Sequence, residues 1–211
     1  MRLLCLIIWA LLAALPAGAG GTAGEFEYYV LSLSWQPNWC AETGEARGDP
    51  QCKAGSGQGF IVHGLWPQYK VGFPSDCLST ERDPSRSDTA AMADVMGGAG
   101  LAFYEWKKHG RCTGLSSDAY FDRLRTAYAK VTIPPLFAKV SRTLRVPPLA
   151  IQDAFLESNP QLGADQVTVT CGGAMIEEVR ICLTKDLQPR DCGIYVVDDC
   201  KLKDAELDAV R

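Results

Sequence analysis

The cysteines constrain this chain more than any other residue type. Nine are present in 211 residues, and Cys5 lies in an apolar run, residues 3–15, that precedes the small residues Ala-Gly-Ala at positions 17–19. This pattern is typical of a secretory signal peptide covering residues 1–19. Cleavage there leaves eight cysteines, and an even number in a secreted chain indicates disulfide bonds. Eight cysteines allow on the order of 100 pairings, so the count leaves the connectivity open.

The sequence argues against three other roles for the N-terminal run and the cysteines: a membrane-spanning helix, a lipoprotein signal and a zinc site. A membrane-spanning helix needs roughly 20 apolar residues, more than the N-terminal run provides. A lipoprotein reading fails because Cys5 lies too early, inside the apolar run. A zinc site is disfavoured because the chain has no Cys-x-x-Cys motif. We therefore expect a secreted or periplasmic protein with no metal, no cofactor and no membrane attachment after signal removal.

Residues 20–211 are long enough for a single domain with a substantial core. Loss of Arg2 with the signal leaves 20 basic and 25 acidic residues, a net charge of −5. Proteins that hold nucleic acid along an extended track are usually basic. The composition therefore argues against such a track, and any polyanion must be held by a local group of cations.

Strand-like segments lie at both ends of the chain, with helical segments between them. β-Branched and aromatic residues predict strands at residues 26–35, 60–66, 167–171, 175–184 and 193–197. Helices are predicted at residues 88–96, before Gly110, after an N-cap at Ser117, after Pro134, and at residues 147–158. Both kinds of element are thus expected in one folded unit.

The second of these helices carries three charged or titratable residues on one face. Glu105, Lys108 and His109 are spaced i, i+3 and i+4. An acid, a cation and an imidazole in one small volume suit the stabilisation and deprotonation of a phosphoryl centre. The alternative from this stretch alone is a solvated helix turn in which Glu105 pairs with Lys108.

His63 and His109 are the only histidines in the chain. In the strand at residues 60–66, alternation places His63 on one face with Ile61 and Leu65, near the end of the strand. A single histidine is more often structural than catalytic, but these two form the only pair suited to acid and base work near neutral pH. The chain has no Gly-x-Ser-x-Gly motif, which argues against a serine hydrolase.

The segments FIVHGLWPQY and EWKKHGRC, with Trp-Gln-Pro at residues 35–37 followed by Cys40, resemble the active-site segments and first strand of the secreted ribonuclease T2 family. The resemblance covers residues 26–200. It implies an α+β fold in which helices pack around a central antiparallel sheet stapled by disulfides. The family order of cysteines implies the pairs Cys40 with Cys52, Cys77 with Cys112, Cys171 with Cys200, and Cys182 with Cys192.

The resemblance also implies a chemistry. The 2′-hydroxyl of RNA is an internal nucleophile that needs no metal in the first step. His109 is expected to deprotonate it and His63 to protonate the leaving 5′-oxygen, while Glu105 and Lys108 support the charge on phosphorus. Trp66 is expected to offer a flat face to a base without selecting its identity, or else to belong to the core. The expected protein is a monomer that cuts single-stranded RNA and not DNA.

The chain departs from the family pattern at two positions, with Tyr104 in place of the usual histidine and Arg111 in place of the usual threonine. We expect both to bind substrate, with Arg111 supplying the cation that Tyr104 lacks. The departures leave open an RNA-binding or signalling protein of the same fold with weakened catalysis. The acidic pairs at residues 177–178 and 198–199 lack ligand periodicity and are predicted to be solvated charge.

Overall fold

The computed structural model describes residues 20–197 and 200–211. The predicted signal peptide and the acidic pair at residues 198–199 lie outside the described residues. Within the described ranges, no helix has the length and apolar character needed to cross a membrane.

A single sheet organises the described chain. Its strands are β1 (Tyr28–Trp35), β2 (Phe60–Gln68), β3 (Leu144–Val146), β4 (Val167–Gly172), β5 (Met175–Thr184) and β6 (Ala205–Leu207). The order is β2-β1-β5-β6-β3, and β4 also pairs with β5. All pairings are antiparallel except the contact of β5 with β6, which is parallel at one residue pair. The predicted α+β fold around a largely antiparallel sheet is confirmed.

Helices fill the segment between β2 and β4 and extend the end of β1. They are α1 (Gln36–Trp39), α2 (Arg86–Ala91), α3 (Ala93–Met96), α4 (Ala99–Lys108), α5 (Ser117–Ala129) and α6 (Pro148–Ser158). The side chain of Ser116 caps α5 by accepting from the backbone N–H of Ala119, so the N-cap lies one residue before the predicted Ser117. A Ser85 and Asp88 capping box starts α2.

The apolar face of the sheet packs against the helices. Leu31, Leu33 and Trp35 of β1 are fully buried there, in a core completed by the helix residues Trp106, Tyr120, Leu124, Ile151 and Phe155. Residues i and i+2 of a strand share a face, so the intervening side chains of β1, Ser32 and Ser34, lie on the opposite face. That opposite face carries the site described below.

Three predicted elements differ from the structure. Residues 193–197, predicted as a strand, form a turn, and Pro134 begins no α-helix but only a turn before the 3-10 segment Phe137–Lys139. The helix predicted at residues 88–96 is divided into α2 and α3 at Met92. The three-residue strands β3 and β6 are too short to show a period in the sequence.

Four disulfides join the same pairs that the family resemblance implies: Cys40 with Cys52, Cys77 with Cys112, Cys171 with Cys200, and Cys182 with Cys192. The second ties the loop after β2 to the turn after α4. The fourth joins β5 to the segment after it. Both therefore brace the elements that carry the candidate site.

Candidate active site

A β-bulge in β2 places His63. Ser32 of β1 lies opposite Gly64, and Leu33 lies opposite Val62, so His63 has no partner on β1. A bulge adds one residue to a strand and redirects its side chain. Leu65 consequently returns to the core with Val62, and the prediction that Leu65 shares the face of His63 is wrong. The strand also continues past Trp66 to Gln68, so His63 lies in its middle and not near its end.

The C-terminal end of α4 supplies the other half of the site. The N–H of His109 donates to the carbonyl of Glu105 at 2.8 Å, and a 3-10 turn, Gly110–Thr113, then changes the direction of the chain. A Cβ at Gly110 would lie 2.6 Å from the ring of Trp106. Glycine is therefore needed where the turn crosses the buried tryptophan.

His63 is held between two buried carboxylates. Its Nδ1 lies 2.5 Å from Oε1 of Glu178 in β5, and its Nε2 lies 3.6 Å from Oε1 of Glu105 in α4. Glu105 and Glu178 are only 1% and 2% exposed. Arg180 donates to the second oxygen of Glu178 at 2.8 Å.

Trp66 lies between the two histidines. Its indole N–H donates to Oε2 of Glu105 at 2.6 Å, and its ring centre is 5.2 Å from that of His63 and 5.4 Å from that of His109. A Cβ at Gly64 would lie 2.1 Å from the same carboxylate oxygen. Glycine at position 64 is therefore required for Glu105 and Trp66 to meet.

His109 has a different environment from His63. It is 6% exposed, its ring lies 6.0 Å from that of Phe73, and its Nδ1 is buried with no hydrogen-bond partner in the described part of the chain. Burial, together with the positive charges of Lys108 and His63, lowers the pKa of His109 to about 3. The ring is therefore neutral across the mildly acidic and neutral range.

At His63, neighbouring carboxylates reverse the lowering of the pKa that burial causes. Burial opposes protonation of the ring, but the hydrogen bond and negative charge of Glu178, with the charge of Glu105, outweigh it and raise the pKa of His63. Burial alone would also raise the pKa of Glu178, but His63 and Arg180 lower it. Burial raises the pKa of Glu105 to about 7, against the opposing influence of His63 and Trp66.

Lys108 is oriented by its neighbour one turn earlier. Its Nζ donates to the hydroxyl of Tyr104 at 3.0 Å and lies 5.4 Å from the centre of the same ring. This hydrogen bond raises the pKa of Lys108, so its ammonium group stays charged. Glu105 and Lys108, the pair considered in the solvated-turn alternative, instead have separate partners.

A cavity of about 310 Å³ joins these side chains. Six of the seven predicted catalytic and substrate-binding residues line it: His63, Trp66, Tyr104, Glu105, Lys108 and His109. A second cavity of about 650 Å³, between α4 and the loop after β1, shares His63 and Tyr104 with the first. The two cavities thus meet at one histidine.

Arg111 does not line either of these two cavities. Its guanidinium donates at 2.6 Å to Asp83, which also accepts from the indole of Trp106. The 3-10 turn after His109 directs Arg111 away from the face of Lys108. The predicted compensation of Tyr104 by a nearby Arg111 cation is therefore not supported by the geometry.

Glu178 and Arg180 are site residues that the sequence reasoning missed. The interpretation of residues 177–178 as solvated charge is wrong for Glu178, because β5 is paired on both sides and turns this carboxylate into the site. The signal was an acidic residue inside a long strand with an arginine two positions later, on the same face. Glu177 lines the same cavity, but its side chain is exposed.

Comparison with known sequences agrees with this geometry. The profile of the Ribonuclease T2 family matches residues 26–192. A ribonuclease of Aeromonas hydrophila is 34% identical, over 80% of this chain and 76% of the relative. Ribonuclease I of Escherichia coli is 29% identical over 46% of this chain, and the match spans about half of that relative, 51%.

Solved structures show the same fold at low sequence identity. An RNase-related protein from Calystegia sepium superposes with a TM-score of 0.68 at 21% identity, over 89% of this chain and 99% of the other. RNase NT, solved with 5′-AMP, superposes with a TM-score of 0.64 at 20% identity, over 88% of this chain and 98% of the other.

Proposed function

The chain belongs to the ribonuclease T2 family and is an endoribonuclease, and we propose that it cleaves single-stranded RNA by transphosphorylation, without a metal ion and with low base specificity. The observation that carries this proposal is the pair of histidines across one cavity, His109 held neutral by burial and His63 held protonated by carboxylates. General acid–base catalysis requires one group in each state.

In the first step, His109 takes the proton of the 2′-hydroxyl. The 2′-oxygen attacks the adjacent phosphorus while the bond from phosphorus to the 5′-oxygen breaks. His63 gives its Nε2 proton to the departing 5′-oxygen, because Nδ1 is engaged by Glu178. The products are a 2′,3′-cyclic phosphate and a free 5′-hydroxyl, and RNA supplies the nucleophile itself.

Glu105 and Lys108 support the charge that develops on the phosphoryl oxygens. Lys108 contributes a cation from the same end of α4 as His109. With a pKa of about 7, Glu105 carries a proton in mildly acidic solution, so it donates a hydrogen bond instead of repelling the phosphate. Such preorganised donors stabilise a transition state more than they stabilise the substrate. In mildly acidic solution Glu178 alone supplies the negative charge that favours the His63 imidazolium, and Glu105 adds its own charge only as pH rises towards 7.

In the second step, water replaces the 2′-oxygen. His63, now neutral, takes a proton from the water, and His109 returns its proton to the 2′-oxygen. The cyclic phosphate becomes a 3′-phosphate, and both histidines regain their starting states.

The shape of the site supports a polynucleotide substrate. The two cavities meet at His63 and Tyr104, so nucleosides on either side of the scissile phosphate have separate spaces. Trp66 lines the first cavity and is only partly buried. A base that stacks on an aromatic face is held whatever its identity, which supports low base specificity.

We propose that residues 20–211 act as one secreted or periplasmic domain, monomeric and without cofactor or membrane attachment. The four disulfides support an oxidising compartment, as does the signal pattern at residues 1–19. Removal of a native disulfide typically costs about 2–5 kcal/mol of stability. Expression in a reducing cytoplasm should therefore give little folded enzyme.

The test is product analysis after incubation of an RNA oligonucleotide with purified protein in EDTA. We expect 2′,3′-cyclic phosphate ends, later converted to 3′-phosphates. The matched substrates are the same sequence as DNA and as RNA with one 2′-O-methyl group, which blocks the nucleophile at a single bond. Cleavage at the methylated bond or of the DNA would contradict the mechanism. Tight binding without cleavage would favour the RNA-binding alternative.

A further inference from the structure

Glu178 is bonded at both of its carboxylate oxygens. Oε1 lies 2.5 Å from Nδ1 of His63, and Oε2 accepts from Nε and Nη2 of Arg180, each at 2.8 Å. The side chain is almost fully buried. Two opposing partners therefore fix the carboxylate in one position, and Arg180 compensates its charge when His63 is neutral.

The bond to Nδ1 determines which nitrogen of His63 works at the cavity. A carboxylate accepts hydrogen bonds and cannot donate them, so Nδ1 keeps its proton in both charge states of the ring. Nε2 is then the nitrogen that gains and loses a proton. It lies on the side of Glu105, 3.6 Å from that carboxylate, where the leaving oxygen would be protonated.

We propose that Glu178 is a positioning residue for the RNA-cleavage step, which orients the His63 ring through Nδ1 and stabilises its protonated form. This inference rests on the proposed function, because it explains how His63 serves as the acid. Glu178 itself does not contact the reacting atoms.

Other charged groups also face His63, from β5 and from α4. The groups are Glu105, Glu177, Glu178, Arg180 and His109. Burial and Arg180 disfavour the charged ring, whereas Glu105 and above all Glu178 favour it. Replacement of Glu178 alone leaves burial and Arg180 to dominate, so His63 should lose its proton at a lower pH.

The expected effect of Glu178→Gln depends on pH. Glutamine keeps the shape and can accept from Nδ1, but it removes the negative charge. Charge-assisted hydrogen bonds exceed neutral ones by an amount that corresponds to roughly one pH unit. In the pH profile of kcat/KM, the alkaline limb should move to lower pH by about one unit or more. On that limb kcat/KM should fall by about tenfold, and near pH 5 it should fall by about threefold or less.

The experiment measures kcat/KM against pH on a short RNA for wild type, Glu178→Gln and Glu177→Gln. The last variant removes the same charge from the adjacent residue, which has no hydrogen bond to His63. The His63 ring is also titrated by NMR without RNA. Only two histidines are present, so a protein without a histidine tag gives two ring signals to assign.

We expect the alkaline limb to shift more in Glu178→Gln than in Glu177→Gln. In Glu178→Gln the titration midpoint of the His63 ring should fall by a matching amount. Equal loss at every pH would mean a structural role and would overturn the proposal, as would an equal shift in both variants. If Glu178→Gln does not fold, Glu178→Asp withdraws the charge from Nδ1 and should give the same shift at smaller size; no shift would overturn the proposal.

The two proposals can fail separately. Wild-type protein that does not cleave RNA would refute the proposed function, and the NMR titration would still decide whether Glu178 sets the protonation of His63. RNA cleavage with an unmoved His63 midpoint in Glu178→Gln would refute only the role of Glu178.

Discussion

The strand half and the helix half of the site give the same side chain opposite properties. On the strand half, His63 projects from a bulge, remains 32% exposed, and is bonded to the buried Glu178. On the helix half, His109 is 6% exposed, follows Lys108 directly, and has an Nδ1 without a partner among the described residues. The first environment stabilises the imidazolium and the second stabilises the neutral ring.

The difference teaches that exposure alone does not decide the state of a histidine here. Burial lowers the pKa of both rings, and only the anionic partners of His63 reverse its effect. An acid and a base can therefore lie across one cavity, with a single tryptophan between them. The predictions below test whether the two halves are as different as this comparison requires.

The largest effect is expected from removing either ring. His63→Ala and His109→Ala should each lower kcat by about 10²–10⁴, because each deletes one proton-transfer group. The measurement is steady-state cleavage of an RNA oligonucleotide, with thermal unfolding as the control for folding. A variant with near wild-type rate and unchanged melting temperature would reassign that histidine as structural and end the comparison.

An effect of intermediate size is expected in the pH dependence of stability, with opposite signs for the two rings. The pKa of His109 is about 3 in the folded protein and about 6.5 when unfolded. The unfolded chain therefore binds the proton first, and wild type should lose stability relative to His109→Gln as pH falls from 6.5 towards 3. Between pH 6.5 and 4.5 the loss of folding free energy should be about 2 kcal/mol.

His63 should behave in the reverse way. The pKa of His63 is raised in the folded protein. Its contribution to folding stability is therefore fully present below pH 6.5 and is lost as pH rises through the raised pKa. Denaturant unfolding of wild type, His63→Gln and His109→Gln at several pH values measures both terms. If the two stability differences change in the same direction with pH, the contrast between the rings is wrong.

The smallest effects are expected at Tyr104 and Arg111. Arg111→Thr removes an exposed ion pair with Asp83, a kind of contact worth about 0–1 kcal/mol, and should change kcat/KM by less than about threefold. Tyr104→His should raise kcat/KM by up to about tenfold at acid pH, because a charged donor binds phosphate more strongly. The gain should fade as pH rises.

The double variant decides whether these two positions are coupled. Since Arg111 is directed to Asp83 and not to the cavity, the two changes should be additive in free energy. The compensation expected from the sequence would be restored if Arg111→Thr lowered kcat/KM in the wild-type protein but left it unchanged in the Tyr104→His variant.

The sequence could predict most of the helix half of the site. Glu105, Lys108 and His109 are close along the chain, and helical spacing alone brings them to one face. The strand half depends on pairings that spacing does not encode. Glu178 is 115 positions from His63, and only the register of β1 with both β2 and β5 brings the two together.

Two local features were also beyond a sequence reading. The bulge at His63 changes which residues share a face, and its place is set by the pairing of β2 with β1, although Gly64 beside it is a residue type that often accompanies a bulge. The direction of Arg111 depends on a 3-10 turn after α4 and on the presence of Asp83. In both cases the outcome depends on a distant strand or loop.

The most direct test of the central contrast is an NMR titration of both histidine rings in the wild-type protein, without a histidine tag and without RNA. His63→Gln and His109→Gln assign the two signals by removing one each. We predict that His63 titrates above pH 6.5 and that His109 titrates far below it, near pH 3. If both rings titrate near 6.5, or if His109 titrates above His63, the account is contradicted.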